Sequence, residues 1–422
     1  YSQSLHYLNA FTNLEKLAEL PRNSFFNLRR MEHLLRISGH PEKNLFPILI
    51  AGTTGKGSTG FFLESILKAN GIRTGYYHSP HVETSLERIR VQGAMASTKL
   101  WADGLSEIRK LLKARPLPQK LGSLTYFEIL TFLATWVFAK TDVRVGIFEI
   151  GLGGRLDATN ALRAPLVILT PIHLDHEAFL GNTVTKIAAE KAAIIKPRGH
   201  TVIARQCPEA LRVIQRAVKK SRGTLWKTRS VSGISLGLNG DFQRMNAGAA
   251  FKAAEILREY FNFPVSAELA KKGLSLRDWK GRMETFHRDG RRFILDGAHN
   301  PISMKELVKS LSRPFHTPRV RERGEKAWLV FGAMNDKNSR EMLRVLSGSF
   351  SKVDLTGIAG SLAKPVAMLI EEAKGLFKCV LTAQNMSEAF SLLKKASNPG
   401  ARIVVTGSFY LVGEARKILK IG

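Results

Sequence analysis

Phe46–Ala51 is an apolar run that ends in a glycine-rich turn, Gly52-Thr53-Thr54-Gly55-Lys56-Gly57-Ser58-Thr59, and residues 59–69 continue with Phe62, Ile66 and Leu67 at helical spacing. A buried strand that passes through a tight turn into a helix commits the chain to a strand–loop–helix unit, and such units assemble into parallel sheets covered by helices. Glycines let backbone N–H groups approach phosphate oxygens, the helix start adds a favourable dipole, and Lys56 adds a point charge. The spacing departs from the usual phosphate loop: two residues, not four, separate Gly52 from Gly55, and Gly57 follows Lys56 where Ser or Thr is usual. A glycine-rich turn can be no more than a tight turn, but Lys56 and Ser58 between strand and helix favour a phosphate cradle.

The alternation continues along the chain. Residues 74–78, 144–150 and 166–171 read as further strands, with residues 127–139 helical between them. The pattern pauses near 279–284, then resumes with strands at 292–295, 327–331, 352–356, 379–381 and 402–405 and helices at 303–311 and 365–373. The expected fold is α/β: a large N-terminal P-loop domain with a mostly parallel sheet, residues 1–284, and a smaller C-terminal Rossmann-like α/β domain, residues 285–422. A length of 422 residues also argues for two domains, because single cores usually stop growing well before that size. Residues 313–325, rich in arginine and proline, are expected to form an exposed loop.

The formal charge of +29 fits anionic partners such as nucleotides, polyglutamates or nucleic acid, without choosing among them. Basic clusters at 196–198, 212–229 and 313–326 lack the interleaved aromatics of a single-strand binding platform, so a nucleotide-dependent nucleic-acid-binding protein is the weaker reading. No apolar run reaches the length of a membrane span, and residues 1–10 carry no secretory pattern. Cys207 and Cys379 lie far apart and outside any paired metal-ligand spacing, which suits reduced thiols in the cytoplasm.

The loop form of residues 52–58 resembles that of the Mur ligase superfamily and, within it, of the folylpolyglutamate synthase and dihydrofolate synthase family. The resemblance continues in family order through Ser79-Pro80-His81, Arg88-Ile89-Arg90, residues 124–128, the run from Glu149 to Asn160, Leu174-Asp175-His176, Glu190-Lys191-Ala192, Gln243 with Asn246, Gly281-Arg282, the run from Asp296 to Pro301, and Gly407-Ser408.

The resemblance implies an ATP-dependent amide ligase that adds L-glutamate to dihydropteroate or reduced folates through an acyl-phosphate, acting as a monomer with Mg²⁺. By position it assigns the nucleotide to residues 52–59 with Asn246, Arg282 and Asp296, and the metal to Ser79, Glu149 and His176. A strand-terminal carboxylate such as Glu149 suits Mg²⁺, which takes one or two carboxylates plus phosphates. Lys191 matches a lysine carbamylated by CO₂; an ordinary lysine is neutral in only about one molecule in a thousand at pH 7, so that chemistry needs a special environment. A plain solvated helix lysine is the alternative.

Thr125, Phe127, Asp157 and Ala158 match the family's pterin-binding positions, although the residues alone favour helix-start packing for Phe127 and a turn for Asp157-Ala158. His299 and Ser408 match positions that seat glutamate. Asp296 is alternatively a cap for a helix beginning near Pro301, and Phe242 stands where many relatives carry histidine. With Lys56 and Lys191, His299 completes the candidate catalytic set. A Mur-type ligase acting on another carboxylate is the runner-up.

Overall fold

The computed structural model describes residues 1–13, 26–277, 279–312, 327–360 and 362–421, and the chain divides into two compact units. The first contains residues 1–79, 85–236 and 244–276. Its strands are β1 (Phe46–Ala51), β2 (Thr74–Tyr77), β3 (Ile89–Val91), β4 (Ala94–Met95), β5 (Val145–Glu149), β6 (Leu166–Leu169), β7 (His200–Ile203) and β8 (Thr224–Lys227). They form one sheet in the order β4-β3-β2-β5-β1-β6-β7-β8. Every pairing from β2 through β8 is parallel, and β3 and β4 add an antiparallel edge.

Ile48, Leu49, Ile50 and Ala51 are fully buried, so β1 is covered on both faces, as its uninterrupted apolar sequence requires. On one face Leu49, Phe148, Leu169 and Ile203 share a core with Leu130, Ile187 and Ile214. These come from the helices Tyr126–Lys140, Val184–Ala192 and Pro208–Ser221. From β1 the chain goes first to β2, on one side, and later reaches β6 on the other. The carboxyl end of β1 is therefore a topological switch point, where open α/β sheets bind ligands.

The second unit contains residues 80–84, 237–243 and 277–422. Strands β9 (Glu284–Arg288), β10 (Arg291–Leu295), β11 (Trp328–Phe331), β12 (Lys352–Thr356), β13 (Cys379–Ala383) and β14 (Arg402–Thr406) form a sheet ordered β13-β12-β11-β14-β10-β9. Only β9 is antiparallel. Alternate residues of the strands face opposite ways. Ile294, Leu329, Val353 and Val404 pack with Met304, Leu307 and Leu343 on one side, and Leu295, Val330, Ile403 and Val405 pack with Leu393, Leu411 and Ala415 on the other.

The expected α/β architecture with two mostly parallel sheets is present, and the strands foreseen along β1, β2, β5, β6 and β10–β14 are all found within a residue or two. The short strands β3 and β4, the outer strands β7 and β8, and β9 were not foreseen. The main segment of the second unit begins at Arg277, with two short earlier segments at 80–84 and 237–243, whereas the sequence pattern suggests a change after residue 284. β9 explains part of the difference, because Glu284–Arg288 is polar in sequence yet pairs with β10 along its whole length. The arginine- and proline-rich stretch 313–325 lies outside the described residues. Among the described residues no helix is long and apolar enough to cross a membrane, and Cys207 and Cys379 are both free.

Candidate active site

Gly52 follows β1 with φ 148°, and a Cβ there would fall 1.9 Å from Thr170 Oγ1, just after β6. Only a glycine lets the turn pass so close to its neighbour. Gly55 follows with φ 85° as the N-cap of the helix Lys56–Ala69, and a Cβ on it would meet Asn246 Oδ1 at 2.4 Å. Asn246, from the helix Gln243–Phe261, is thus brought against the glycine turn. Thr53 is tied to the residues after β6: its N–H donates to Pro171 O at 2.9 Å, its hydroxyl to His173 O at 3.1 Å, and it accepts from His173 N at 3.0 Å. Ser58 and Thr59 are buried in the first helical turn, and Thr54 is half-buried.

Lys56 Nζ lies 3.3 Å from Gly52 O and 3.9 Å from Glu149 Oε1. Glu149 is the last residue of β5, next to β1 in the sheet, and is 4% exposed. The Tyr76 hydroxyl, on β2, is within hydrogen-bonding reach of both Glu149 Oε2 at 3.3 Å and Gly57 O at 3.0 Å. Ser79 follows β2 by two residues, at the same end of the sheet. His176 adopts the left-handed conformation before the short helix Glu177–Leu180, and its N–H donates to Asp175 Oδ1 at 3.0 Å.

Lys191 projects from the helix Val184–Ala192 and is buried. Burial first, then the positive charge of Lys56, pulls its pKa down to about 7, against the opposing pull of Asp175 and Asp157. The structure therefore gathers Lys56, Lys191, Asp175 and Asp157, and about half of Lys191 would be neutral at pH 7 in this setting. The loop from Gly151 lies directly on this helix: a Cβ on Gly154 would fall 2.7 Å from Glu190 O and 3.2 Å from Lys191 Cα.

The residues matching pterin positions are held in detail by local bonds. Thr125 caps the helix Tyr126–Lys140 in a capping box with Glu128. Asp157 accepts from Gly151 N, Leu152 N, Thr159 N and the Thr159 hydroxyl at 2.6–3.1 Å, so its carboxylate shapes the loop 151–159. Burial raises its pKa, opposed by those bonds. Ala158 is buried beside it. The Phe127 ring packs on Gly151, where a Cβ would meet it at 2.6 Å, and lies 5.8 Å from the Tyr77 ring.

In the second unit, β10 and β14 are adjacent, which brings Asp296 and Ser408 to neighbouring strand ends. Asp296 accepts from Met283 N and Ala298 N, both at 2.9 Å; burial raises its pKa and Arg282 opposes the rise. The alternative that Asp296 caps the helix Pro301–Leu311 does not hold: Asn300 is the cap, in a capping box with Ser303. His299 Nδ1 lies 2.8 Å from Gly297 O, and its ring is 5.7 Å from Phe409. The Arg282 guanidinium stacks over the same Phe409 ring at 4.3 Å. Ser408 is buried and caps the last helix, Phe409–Ile418. Arg282, Asp296, His299 and Ser408 thus form one group around Phe409. Phe242 packs against the core of this unit.

Tyr76, Thr170 and Asp175 were not singled out from sequence. Asp175 lies within the run Leu174-Asp175-His176, whereas Tyr76 and Thr170 read as ordinary strand residues.

Among the described residues no group of three or more His, Cys, Asp or Glu could hold a metal by itself. Glu149, a buried carboxylate at a strand end, is the kind of oxygen donor that fits a hard cation, which would take further oxygen ligands from phosphates and water.

The Mur ligase glutamate ligase domain matches residues 281–409. The dihydrofolate synthase/folylpolyglutamate synthase of Bacillus subtilis is 31% identical, over 93% of this chain and 95% of its own. The folylpolyglutamate synthase of Lacticaseibacillus casei is 28% identical over 99% and 98%. Among solved structures, Mycobacterium tuberculosis folylpolyglutamate synthase complexed with ADP and AMPPCP superimposes with a TM-score of 0.86 at 27% identity, covering 100% of this chain and 98% of the other. E. coli FolC in complex with DHPP and ADP gives 0.83 at 26%, covering 99% and 97%. The fold and these relatives define a two-unit ligase of the Mur type. The chain belongs to the folylpolyglutamate synthase and dihydrofolate synthase family of ATP-dependent ligases, which join glutamate to folates.

Proposed function

We propose that this protein uses ATP to phosphorylate a carboxylate of dihydropteroate or a reduced folate and then joins that carbon to the amino group of L-glutamate. A carboxylate resists an amine because it is an anion with a poor leaving group. Transfer of the γ-phosphoryl to a carboxylate oxygen gives an acyl-phosphate and ADP; attack by the glutamate nitrogen forms the amide and releases phosphate, with loss of a proton. The observation that carries this reading is the approach of Lys56 to Glu149 at the glycine turn.

Residues 52–59 and Asn246 would cradle the phosphates, with Lys56 offsetting charge on the transferring group. Ser79, Glu149 and His176 would hold Mg²⁺, which when bound neutralises phosphate charge. Lys191, half neutral near pH 7, supports the carbamate reading: its free amine can attack CO₂ to give an N-carboxylate and a proton, turning a cation beside Lys56 into an anion. Phe127 offers a ring face to a flat heterocycle, with Thr125, Asp157 and Ala158 shaping the wall beside it. His299 and Ser408 would seat glutamate, and Arg282 and Asp296 would contribute to the nucleotide. We read the protein as a cytoplasmic monomer.

An acceptor exchange tests the assignment. Purified protein with ATP, Mg²⁺ and L-glutamate is offered dihydropteroate, tetrahydrofolate or a UDP-muramyl peptide, and amide product is followed by mass. Product from either pterin compound is expected. Product from the muramyl peptide alone would move the protein to the runner-up class.

A further inference from the structure

Tyr76 and Glu149 belong to the neighbouring parallel strands β2 and β5 of the first unit, whose register sets Tyr76 beside Ile147. Residues 147 and 149 point the same way from their strand, so Tyr76 and Glu149 share one face of the sheet. The helix Lys56–Ala69 lies over that face: a Cβ on its Gly60 would fall 2.4 Å from both the Tyr76 hydroxyl oxygen and the ring carbon that bears it. Gly57, three residues earlier on the same side of the helix, brings its carbonyl oxygen 3.0 Å from that hydroxyl. The ring is also in contact with His78, at 5.1 Å between centroids.

Both side chains are buried. The Tyr76 hydroxyl lies 3.3 Å from Glu149 Oε2, while the other carboxylate oxygen, Oε1, lies 3.9 Å from Lys56 Nζ. The two ends of the carboxylate are therefore addressed by different groups, a phenol on one side and an ammonium on the other. One phenol proton serves two acceptors, Gly57 O and Glu149 Oε2. Gly57 O sits in the first turn of a helix, where the N–H four residues on already bonds to it. The carboxylate is charged, and charge-assisted hydrogen bonds are about twice as strong as neutral ones, so the proton favours Glu149. Deleting this donor would strip a buried carboxylate of one of the bonds that offset its desolvation and would loosen the orientation of its two oxygens.

We propose that Tyr76 is a positioning residue: its hydroxyl holds Oε2 of Glu149 and so keeps Oε1 turned toward Lys56 and available to a divalent cation. The inference rests on the metal reading of Glu149 given above. Gly60 belongs to the same device, because its missing side chain admits the phenol beneath the helix.

Two variants break the bond by unrelated means. Tyr76→Phe deletes the hydroxyl and keeps the ring, with its contacts to Gly60 and His78. Gly60→Ala keeps the hydroxyl and adds a methyl group where the phenol now sits. For each, calorimetric titration reads ADP affinity with Mn²⁺ and with chelator. Both variants should lose about tenfold of the Mn²⁺-dependent gain in ADP affinity, a size typical of residues that support metal ligands. ADP affinity in chelator should stay at the wild-type value, because Lys56 and the backbone of the glycine turn are unaltered; a merely structural role for Tyr76 would lower both affinities together. The full Mn²⁺ gain in either variant, or a fall of the same size with and without metal, would overturn the proposal. If one variant fails to fold, the other decides, since each carries the full expectation. A wild-type protein whose ADP affinity ignores Mn²⁺ contradicts the metal reading of Glu149 itself, whereas variants that respond to Mn²⁺ as fully as a responsive wild type sink the role of Tyr76 alone.

Discussion

Lys56 Nζ and Glu149 Oε1 lie 3.9 Å apart although 93 residues separate them in the chain (149 − 56), one opening the helix after β1 and the other closing β5. Parallel pairing of β1 with β5 sets this distance, since Ile50 and Glu149 are partners in register. A cation and a carboxylate at the same strand ends are the minimum needed to handle a charged phosphoryl group and a metal in one place.

Each member of that pair should be indispensable to turnover and dispensable to folding. Lys56→Ala and Glu149→Gln are expected to lower kcat by at least about 10²-fold, the range seen when one preorganised electrostatic group is removed. Circular dichroism should show an unchanged fold. Normal turnover in either variant would remove the pair from the mechanism.

Lys191 makes stability depend on pH. Below pH 7 the folded and unfolded chains both carry its proton, and the folded protein bears the full penalty of a buried charge. Between about pH 7 and 10.5 the folded chain releases that proton while the unfolded chain keeps it, so stability rises with pH across the window. In chelator and CO₂-free buffer, Lys191→Met should therefore melt above wild type, by a margin largest below pH 7 that shrinks toward the upper end of the window. A margin independent of pH would contradict the buried, low-pKa amine.

Gly55 and Asn246 should be coupled energetically. Gly55→Ala places a Cβ at φ 85° and 2.4 Å from Asn246 Oδ1. The left-handed backbone alone costs about 1–2 kcal/mol. Asn246→Ala removes the obstructing amide, so the double variant should be more stable than the sum of the single losses by about 0.5–3 kcal/mol, as for residues in contact. Denaturant titration of the four proteins measures the coupling, and simple additivity would mean the loop moves away from Asn246.

Where the sequence was readable, a single physical signal governed the residue. The apolar run 46–51, the glycines at 52 and 55 and the lysine at 56 can serve one strand and one turn, and the structure places them so. β9 was hidden because residues 284–288 alternate weakly and contain charge; its pairing with β10, not its own composition, makes it a strand. Lys191 lies between Lys186 and Lys196 in a stretch that reads as a solvated helix, and the loop 151–154 that packs on it is distant in sequence. Asp296 looked like a helix cap because Pro301 follows closely, yet Asn300 takes that role. The docking of Glu83 on Arg416 spans most of the chain and has no local trace at all.

The proposed reaction depends on direct phosphorylation of the acceptor's carboxyl group by ATP. Acceptor labelled with ¹⁸O in that carboxylate, incubated with the protein, ATP, Mg²⁺ and L-glutamate, distinguishes this from any other use of ATP. One ¹⁸O should appear in the released inorganic phosphate for each amide formed. Amide formation with unlabelled phosphate would contradict the acyl-phosphate and the role assigned to Lys56 and Glu149.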